Sequence, residues 1–204
     1  MRARAIPKKK RRGRPRSTET EKAILKAAGE IALASGGLAE MTIEGVAERA
    51  GVGKASIYRR WPSKGALAFD AVLDGILATQ PTPDTGTLES DLARVAESWV
   101  QLANLPRGGR TVAHFIAEVQ SDPDLATAWR ERFVDRIRKA RRPIIERAIA
   151  RGEIPAGSDP ELIMDLVFGP LYHRYLNQHL PLDETFARGV ARMVAAGAKA
   201  SAAA

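Results

Sequence analysis

Residues 42–67 read TIEGVAERAGVGKASIYRRWPSKGAL, a segment with the signals of two short helices, a tight turn and the start of a third helix. Thr42 is a good N-cap residue, and the apolar side chains after it recur on one helical stripe. Gly51 fits the end of the first helix, because glycine easily adopts the left-handed conformation found there. Gly53 fits the cap of the second helix. The spacing therefore predicts a helix-turn-helix.

The second of these helices has one apolar side, formed by Ile57 and Trp61 four residues apart. Its other faces carry small, hydroxyl-bearing or cationic side chains, namely Lys54, Ala55, Ser56, Tyr58 and Arg59. A short helix with this distribution fits the major groove of DNA. We therefore interpret it as the helix that reads double-stranded DNA.

Two lysines support this interpretation, because Lys54 and Lys64 each fall at the first position of a predicted helix, the later one capped by Ser63. A cation at that position opposes the helix dipole, at about 0.3–1 kcal/mol, so folding alone gives no reason for either. A phosphate beside both helix starts would make them favourable. The alternative is that both are ordinary solvated lysines.

A helix from about residue 18, followed by the segment above, resembles the tetracycline-repressor (TetR) family of bacterial transcriptional regulators. The portion YRRWPSKGAL is similar to the family's tyrosine, two variable residues, aromatic residue and serine–lysine helix start. The resemblance implies that Tyr58 and Lys64 hold phosphates. It leaves Lys54, Ser56 and Arg59 as candidates for base contact. Gly53 departs from the pattern, since many relatives carry a hydroxylated residue there.

The positive charge is concentrated at one end of the chain. The net charge is +8, and residues 1–16 hold nine Lys or Arg and no acid, whereas the remainder holds 23 basic and 24 acidic residues. Such a block predicts a disordered arm that binds a polyanion. Its end, Gly13–Arg16, resembles an AT-hook core that inserts arginines into a narrow minor groove. A generic phosphate-binding tail is an equal alternative. The candidate DNA contacts are therefore Arg14, Arg16, Thr42, Lys54, Ala55, Ser56, Tyr58, Arg59 and Lys64.

PKKKRR within the arm also looks like a nuclear import signal, which the resemblance to a bacterial family argues against. The chain has no cysteine, so disulfides and thiolate metal sites are excluded. It has no apolar run of membrane-spanning length and no signal peptide pattern. We expect a cytoplasmic, nucleoid-associated protein with no membrane partner.

Four residues are the only candidates for metal binding or catalysis: His114, Glu118, His173 and His179. His114 and Glu118 are one turn apart, but no second close pair of ligands supports them. We interpret these histidines as partly buried and hydrogen-bonded. No nucleophile has a base and an orienting group at recognisable spacing. The sequence predicts no enzyme, no metal and no cofactor.

Beyond the helix-turn-helix, every periodic segment is helical, which predicts an all-α protein. The first helix has a capping box at Thr18 and Glu21. Pro143 is expected to kink or interrupt a long helix, and the alanine-rich end is expected to fray. The predicted divisions are a basic arm 1–17, a helix-turn-helix DNA-binding domain 18–64, a connecting helix and linker 65–84, a helical effector-binding and dimerisation domain 85–197, and a frayed tail 198–204.

The later region also resembles the family. PRGG (106–109), SDPDLA (121–126), RGE (151–153) and DPELIMDLVFGPLY (159–172) look like a ligand-binding domain found in one branch. The resemblance implies an unidentified small-molecule effector and a homodimer whose helices near 160–178 and 183–195 pair across a two-fold axis. The segment GPLYHRYL would allow close approach in such a four-helix interface. Candidate effector-lining residues are Trp99, His114, Phe168 and Tyr172.

Three functions remain open at this point. The favoured one is an effector-responsive repressor that binds an inverted repeat. The second is an architectural DNA-binding protein whose arm dominates binding and whose body only dimerises. The third is a helical binding module or enzyme that merely contains a helix-turn-helix.

Overall fold

The structure, a computed structural model, describes residues 15–35, 41–105 and 108–201, and all regular elements within these ranges are helices. The prediction of an all-α fold is confirmed. The first four helices are α1 (Pro15–Ser35), α2 (Ile43–Ala50), α3 (Lys54–Tyr58) and α4 (Lys64–Thr79). We call them the head, because α2 and α3 form the predicted helix-turn-helix.

The capping residues of the head confirm the local predictions. The Thr42 Oγ1 atom accepts a hydrogen bond from the Gly45 amide at 3.1 Å, and Ser63 Oγ accepts one from the Ala66 amide at 3.1 Å. Gly51 has φ 67°, the left-handed conformation that closes α2. These contacts satisfy amides and carbonyls that a helix end otherwise leaves without partners.

Two boundaries in the head differ from expectation. α1 begins at Pro15 instead of Thr18, since a proline is well accommodated in the first turn of a helix. Arg16 therefore belongs to a helix and not to an extended arm, while residues 1–14, with Arg14, lie outside the described residues. So does the stop signal Gly36–Gly37. α3 ends at Tyr58, although the Trp61 amide still donates to the Ile57 carbonyl at 3.0 Å.

The remaining elements form the body. They are α5 (Leu88–Asn104), α6 (Gly108–Ser121), α7 (Pro123–Trp129), a π-helical segment (Arg130–Val134), α8 (Asp135–Ala150), α9 (Pro160–Asn177) and α10 (Glu184–Ala200). Asp122, Asp159 and Asp183 cap α7, α9 and α10, because each aspartate side chain accepts hydrogen bonds from backbone amides of the first turn.

Two segments of the body differ from expectation. Pro143 does not interrupt its helix, since it lies inside α8 next to the fully buried Ile144 and Ile145. The irregular turn instead falls earlier, at Arg130–Val134. The first three residues of the predicted tail, 198–200, continue α10 as helix, and residues 202–204 lie outside the described residues.

The apolar side chains form two clusters. The head cluster includes Ile24, Ile57 and Leu67, and also takes Phe115 and Val119 from α6. The body cluster is centred on Leu92 of α5 and helices α8, α9 and α10. α4 approaches α7 so closely that a Cβ atom on Gly65 would lie 2.3 Å from Leu125 Cδ1. Head and body therefore share packed side chains.

None of the helices in the described part of the chain combines the length and apolarity that crossing a bilayer requires.

Candidate nucleic-acid interface and ligand cavity

The predicted DNA contacts of the head lie in α3 or in the residues that flank it, between Thr42 and Lys64. We call this group of residues the reading surface. Its members Thr42, Lys54, Ala55, Tyr58 and Arg59 are exposed, and Ser56 and Lys64 are half-buried. Tyr58 is 54% exposed, an unusual amount for a large aromatic side chain. Ile57 and Trp61, in contrast, are buried in the head cluster as predicted.

Lys54 has a partner within the fold. Its Nζ lies 2.8 Å from Glu44 Oε1, across the turn between α2 and α3. The side-chain hydrogen bond between them lowers the pKa of Glu44 and raises the pKa of Lys54. The expectation that folding gives no reason for this lysine is therefore wrong. Because α3 has only five residues, its dipole is also a weak argument for a phosphate at that helix start.

Ser56 lies at the centre of the reading surface and holds the arginines that follow it. The Arg60 Nη1 atom donates to the Ser56 carbonyl at 2.9 Å, and Arg59 Nη2 lies 3.5 Å from Ser56 Oγ. Arg60 thus satisfies a carbonyl at the end of α3. Arg59 extends beside the serine hydroxyl, exposed to solvent.

A cavity of about 340 Å³ lies behind the head, between α4 and the body helices. Three of the four predicted effector-lining residues, Trp99, Phe168 and Tyr172, line it together, and the Trp99 and Tyr172 rings lie 4.9 Å apart. His114 is not in its wall and is exposed, so that assignment is wrong. Its neighbours on α6, Val112, Phe115 and Ile116, form the wall instead.

Much of the cavity wall is aromatic and was not predicted. Trp129 and Phe133 stack with ring centroids 4.2 Å apart, and Trp129 meets Phe69 of α4 edge-on at 5.1 Å. Trp129 and Phe133 also pack against the head cluster, so they belong both to the cavity wall and to the core.

Two arginines of α8 line the cavity, and they differ in whether their guanidinium groups have partners. Arg138 forms ion pairs with Glu161 and Asp165 of α9. Arg141 is 4% exposed, and its Nη1 atom is buried without a hydrogen-bond partner. Burial lowers its pKa. Arg141 was not predicted from the sequence, although a signal existed: it interrupts the apolar stripe of Ile137 and Ile145 at four-residue spacing.

Asp70 of α4 connects head and body. Its Oδ2 accepts a hydrogen bond from the Trp61 indole at 2.8 Å and one from Arg132 at 3.0 Å, while Oδ1 accepts from Arg136 at 2.7 Å. Arg132 belongs to the π-helical segment and Arg136 to α8. The sequence gives no local sign of this cluster, because its members are up to 75 positions apart.

α9 and α10 carry apolar side chains on the surface. Leu162 and Leu166 are 55% and 50% exposed, and Met193 is 75% exposed. All three line one open cleft between these helices, together with the buried Val190. This cleft is the apolar part of the predicted dimer surface.

The histidines show no sign of a metal site. Within the described residues, no three His, Cys, Asp or Glu side chains are grouped closely enough to hold a metal ion. His114, His173 and His179 are exposed, so the expectation that they are partly buried is wrong. The rings of His173 and His179 lie edge-on with centroids 5.3 Å apart.

Known proteins resemble both parts of the chain. Residues 24–71 match the family model described as bacterial regulatory proteins, tetR family, and residues 82–194 match the tetracyclin repressor-like C-terminal domain. The HTH-type transcriptional regulator YdeS of Bacillus subtilis is 33% identical over 95% of this chain and 96% of its own. The DNA-binding transcriptional repressor TetR of Mycobacteroides abscessus is 32% identical over 82% of this chain and 88% of its own.

A solved structure agrees with these similarities. The crystal structure of the TetR family transcription regulator SCO0332 superposes with a TM-score of 0.79 at 33% identity, covering 88% of this chain and 98% of that one. Both family models, full-length sequence similarity and the superposed fold thus agree. The chain belongs to the TetR family of DNA-binding transcriptional regulators, which are not enzymes.

Proposed function

We propose that this protein is an effector-responsive repressor that binds an inverted-repeat operator as a homodimer in the bacterial cytoplasm, associated with the nucleoid. One observation carries the proposal, namely the sharing of α4 between the two candidate sites. Its first turn carries Lys64 and packs Leu67 into the head cluster, and its later residues Val72, Ile76 and Gln80 line the cavity. A ligand that moves α4 therefore moves the reading surface.

The Asp70 contacts offer a second connection between cavity and head. The π-helical segment contributes Phe133 and Val134 to the cavity wall, and its Arg132 binds Asp70. Asp70 in turn accepts a hydrogen bond from the indole of Trp61, which follows α3 and is buried in the head cluster. A ligand changes DNA affinity only through its different affinities for two arrangements. We infer that these contacts distinguish the two arrangements.

We assign two roles to the reading surface. Tyr58 and Lys64 hold phosphates, which position the protein without reading sequence. Lys54, Ser56 and Arg59 contact base edges, while Thr42 and Ala55 lie against the DNA at the rim. The exposure of Tyr58 and Arg59 supports these roles.

We further infer that the dimer forms through α9 and α10. The exposed Leu162, Leu166 and Met193 would be buried in a four-helix interface around a two-fold axis. Such a dimer presents its two α3 helices at a fixed separation, about 34–36 Å for half-sites one turn of DNA apart.

The test has two steps. A footprint on the DNA upstream of the protein's own gene should protect an inverted repeat, and a ligand that releases the protein should then be titrated with and without that DNA. Because coupling is reciprocal, operator DNA must weaken ligand binding by the same factor, typically about 5- to 150-fold. Equal ligand affinity in both titrations would reduce the body to a dimerisation platform.

The charge of the arm favours a second candidate function, an architectural DNA-binding protein. Residues 2–14 carry eight Lys or Arg. Their deletion should lower affinity for all duplexes and flatten the dependence of binding on salt. If the footprint also shows no sequence preference, the architectural function is the better one. If Arg14 and Arg16 matter only at A·T-rich flanks, the arm reads the minor groove.

A further inference from the structure

We propose that the cavity takes an apolar monoanion, a carboxylic acid carried on an aromatic or alkyl body. This inference rests on the proposed effector function of the same cavity and names the chemical class of the ligand. It follows from the buried guanidinium of Arg141, the one such group among the described residues of the cavity wall, and from the composition of the rest of that wall.

Arg141 has the position of a core residue and the chemistry of an anion receptor. It lies on the same side of α8 as Ile137, four residues earlier, and both line the cavity. Its side chain is 4% exposed, and its Nη1 atom is buried without a hydrogen-bond partner. Among the described residues, no carboxylate forms an ion pair with it. Burial is the cause of its lowered pKa.

A guanidinium stays protonated in proteins, so Arg141 is a buried cation. A buried charge without a counter-ion is unfavourable, because no partner replaces the hydration that it has lost. A carboxylate matches the planar guanidinium with two parallel hydrogen bonds. A ligand bearing that group would supply both the missing charge and the missing acceptors.

The wall accommodates only one additional negative charge. Among the described residues, its lining includes two cations, Arg138 and Arg141, and no Asp or Glu. Arg138 already binds Glu161 and Asp165. The polar groups that remain, such as Gln80 and the Tyr172 hydroxyl, are neutral. A dianion such as a phosphate monoester would bring a second charge with no cation to meet it.

The remaining side chains of the wall indicate the chemistry of the rest of the ligand. Seven of the chain's eleven Phe, Trp and Tyr residues line the cavity. Its volume of about 340 Å³ is near the lower end of the range of small-molecule sites, about 300–1,000 Å³. This selects a compact aromatic or medium-length alkyl group.

The experiment compares probes that differ only in charge. Sodium decanoate is matched with 1-decanol and decylamine, and sodium 2-naphthoate with 2-naphthylmethanol. Trp99 and Trp129 are two of the chain's three tryptophans and line the cavity, so binding is followed by intrinsic fluorescence and by thermal shift of the full chain. We expect at least one carboxylate to bind about 10- to 100-fold more tightly than its neutral partner, as a charge-assisted contact in a dry site gives.

Three variants locate the effect. Arg141→Met keeps an unbranched, flexible side chain and removes the charged guanidinium, so it should abolish the preference for carboxylate and raise the melting temperature of the ligand-free protein. Arg141→Lys keeps the charge without the planar fork and should retain a smaller preference. Arg142→Met is the matched control, because Arg142 is exposed and paired with Glu146 on the same helix. It should leave the preference unchanged.

The inference is overturned if neither carboxylate binds, if neutral or cationic probes bind as well, or if Arg141→Met keeps the preference. A separate gel-shift arm with the operator keeps this result distinct from the proposed function. A neutral probe that binds and releases the protein from DNA would support the repressor function and contradict the proposed preference for a carboxylate. A carboxylate that binds through Arg141 without changing DNA affinity would support that preference and contradict the repressor function.

Discussion

The reading surface and the cavity are built in opposite ways. The reading surface uses neighbouring residues between Thr42 and Lys64, held by caps and one turn. The cavity is lined from Phe69 to Leu176, and residues far apart in the chain share its wall. The first depends on local spacing and the second on tertiary packing. The two also differ in completeness, because one chain encloses the cavity whereas the proposed inverted-repeat operator requires two copies of the reading surface.

Breaking the proposed dimer should produce the largest difference between the two regions, because it should weaken DNA binding and leave ligand binding unchanged. Leu162→Glu combined with Leu166→Glu places charges on the exposed apolar face of α9 and removes no buried side chain. We expect monomers in sedimentation, with operator affinity lowered by about 10²–10⁴-fold, because the second half-site no longer binds in the same complex. Ligand binding in the cavity should be unchanged.

The matched control is Leu105→Glu, which charges an exposed leucine outside α9 and α10. It should leave both the dimer and operator binding intact. A Leu162→Glu, Leu166→Glu protein that still sediments as a dimer would mean that the subunits meet elsewhere.

A single change on the reading surface should affect DNA alone. Arg59→Ala should lower operator affinity by about 5- to 150-fold, which corresponds to the loss of one specific base contact of about 1–3 kcal/mol. Its affinity for random DNA should change little.

Lys64→Ala should instead weaken binding to all sequences alike. The slope of the logarithm of the binding constant against the logarithm of salt concentration should fall by about one unit.

Arg49→Ala serves as the comparison for Arg59, since Arg49 is an exposed arginine of α2 that pairs with Glu30 of α1. Its operator affinity, measured by gel shift at one salt concentration, should stay near that of the parent protein. Equal losses of operator affinity in Arg49→Ala and Arg59→Ala would mean that Arg59 acts only through its charge and does not contact a base.

Asp70→Asn should preserve both regions and weaken their connection. The amide can still accept from the Trp61 indole, but it loses the charge that holds Arg132 and Arg136. We expect near-parental affinities for DNA and for ligand when each is measured separately. The factor by which one weakens binding of the other, typically about 5- to 150-fold, should fall several-fold. Asp74→Asn, an exposed change four residues along α4, is the control.

The smallest effect concerns Glu44. Because it binds Lys54 beside the reading surface, Glu44→Gln should release that lysine and remove a negative charge near DNA. We expect a gain of only a few-fold in affinity for all duplexes, since exposed ion pairs contribute little. Lys54→Ala with Glu44→Gln should show no such gain. A loss of affinity in Glu44→Gln alone would mean that the acid positions Lys54 for its contact.

The sequence predicted the head well, because caps, glycines and apolar stripes act within one turn. Thr42, Gly51 and Ser63 all have the predicted local roles. The Glu44–Lys54 pair was missed, since it crosses the turn between two helices. The divisions at 64, 84 and 197 remain predictions, and the packing of Phe115 into the head cluster shows how closely the parts join.

The cavity was predicted only in part, for reasons specific to its residues. Trp99, Phe168 and Tyr172 were found through a family resemblance, whereas Phe69 and Trp129 meet only after α4 and α7 pack together. His114 was an avoidable error, because Val112, Phe115 and Ile116 mark the inner face of α6 at helical spacing and His114 falls outside it. The partners of Asp70 could not have been found, as nothing local joins Trp61, Arg132 and Arg136.

The π-helical segment limits how the chain length can change in this region. Arg132 faces Asp70 while Phe133 and Val134 face the cavity, and both orientations depend on the wide turn between Arg130 and Val134. Loss of one residue there would restore a regular helix with one position fewer in that turn, so the remaining side chains of the segment would point in new directions. Either the ring stack with Trp129 or the ion pair with Asp70 would then be lost. We expect point substitutions in this segment to be tolerated far better than a deletion of a single codon.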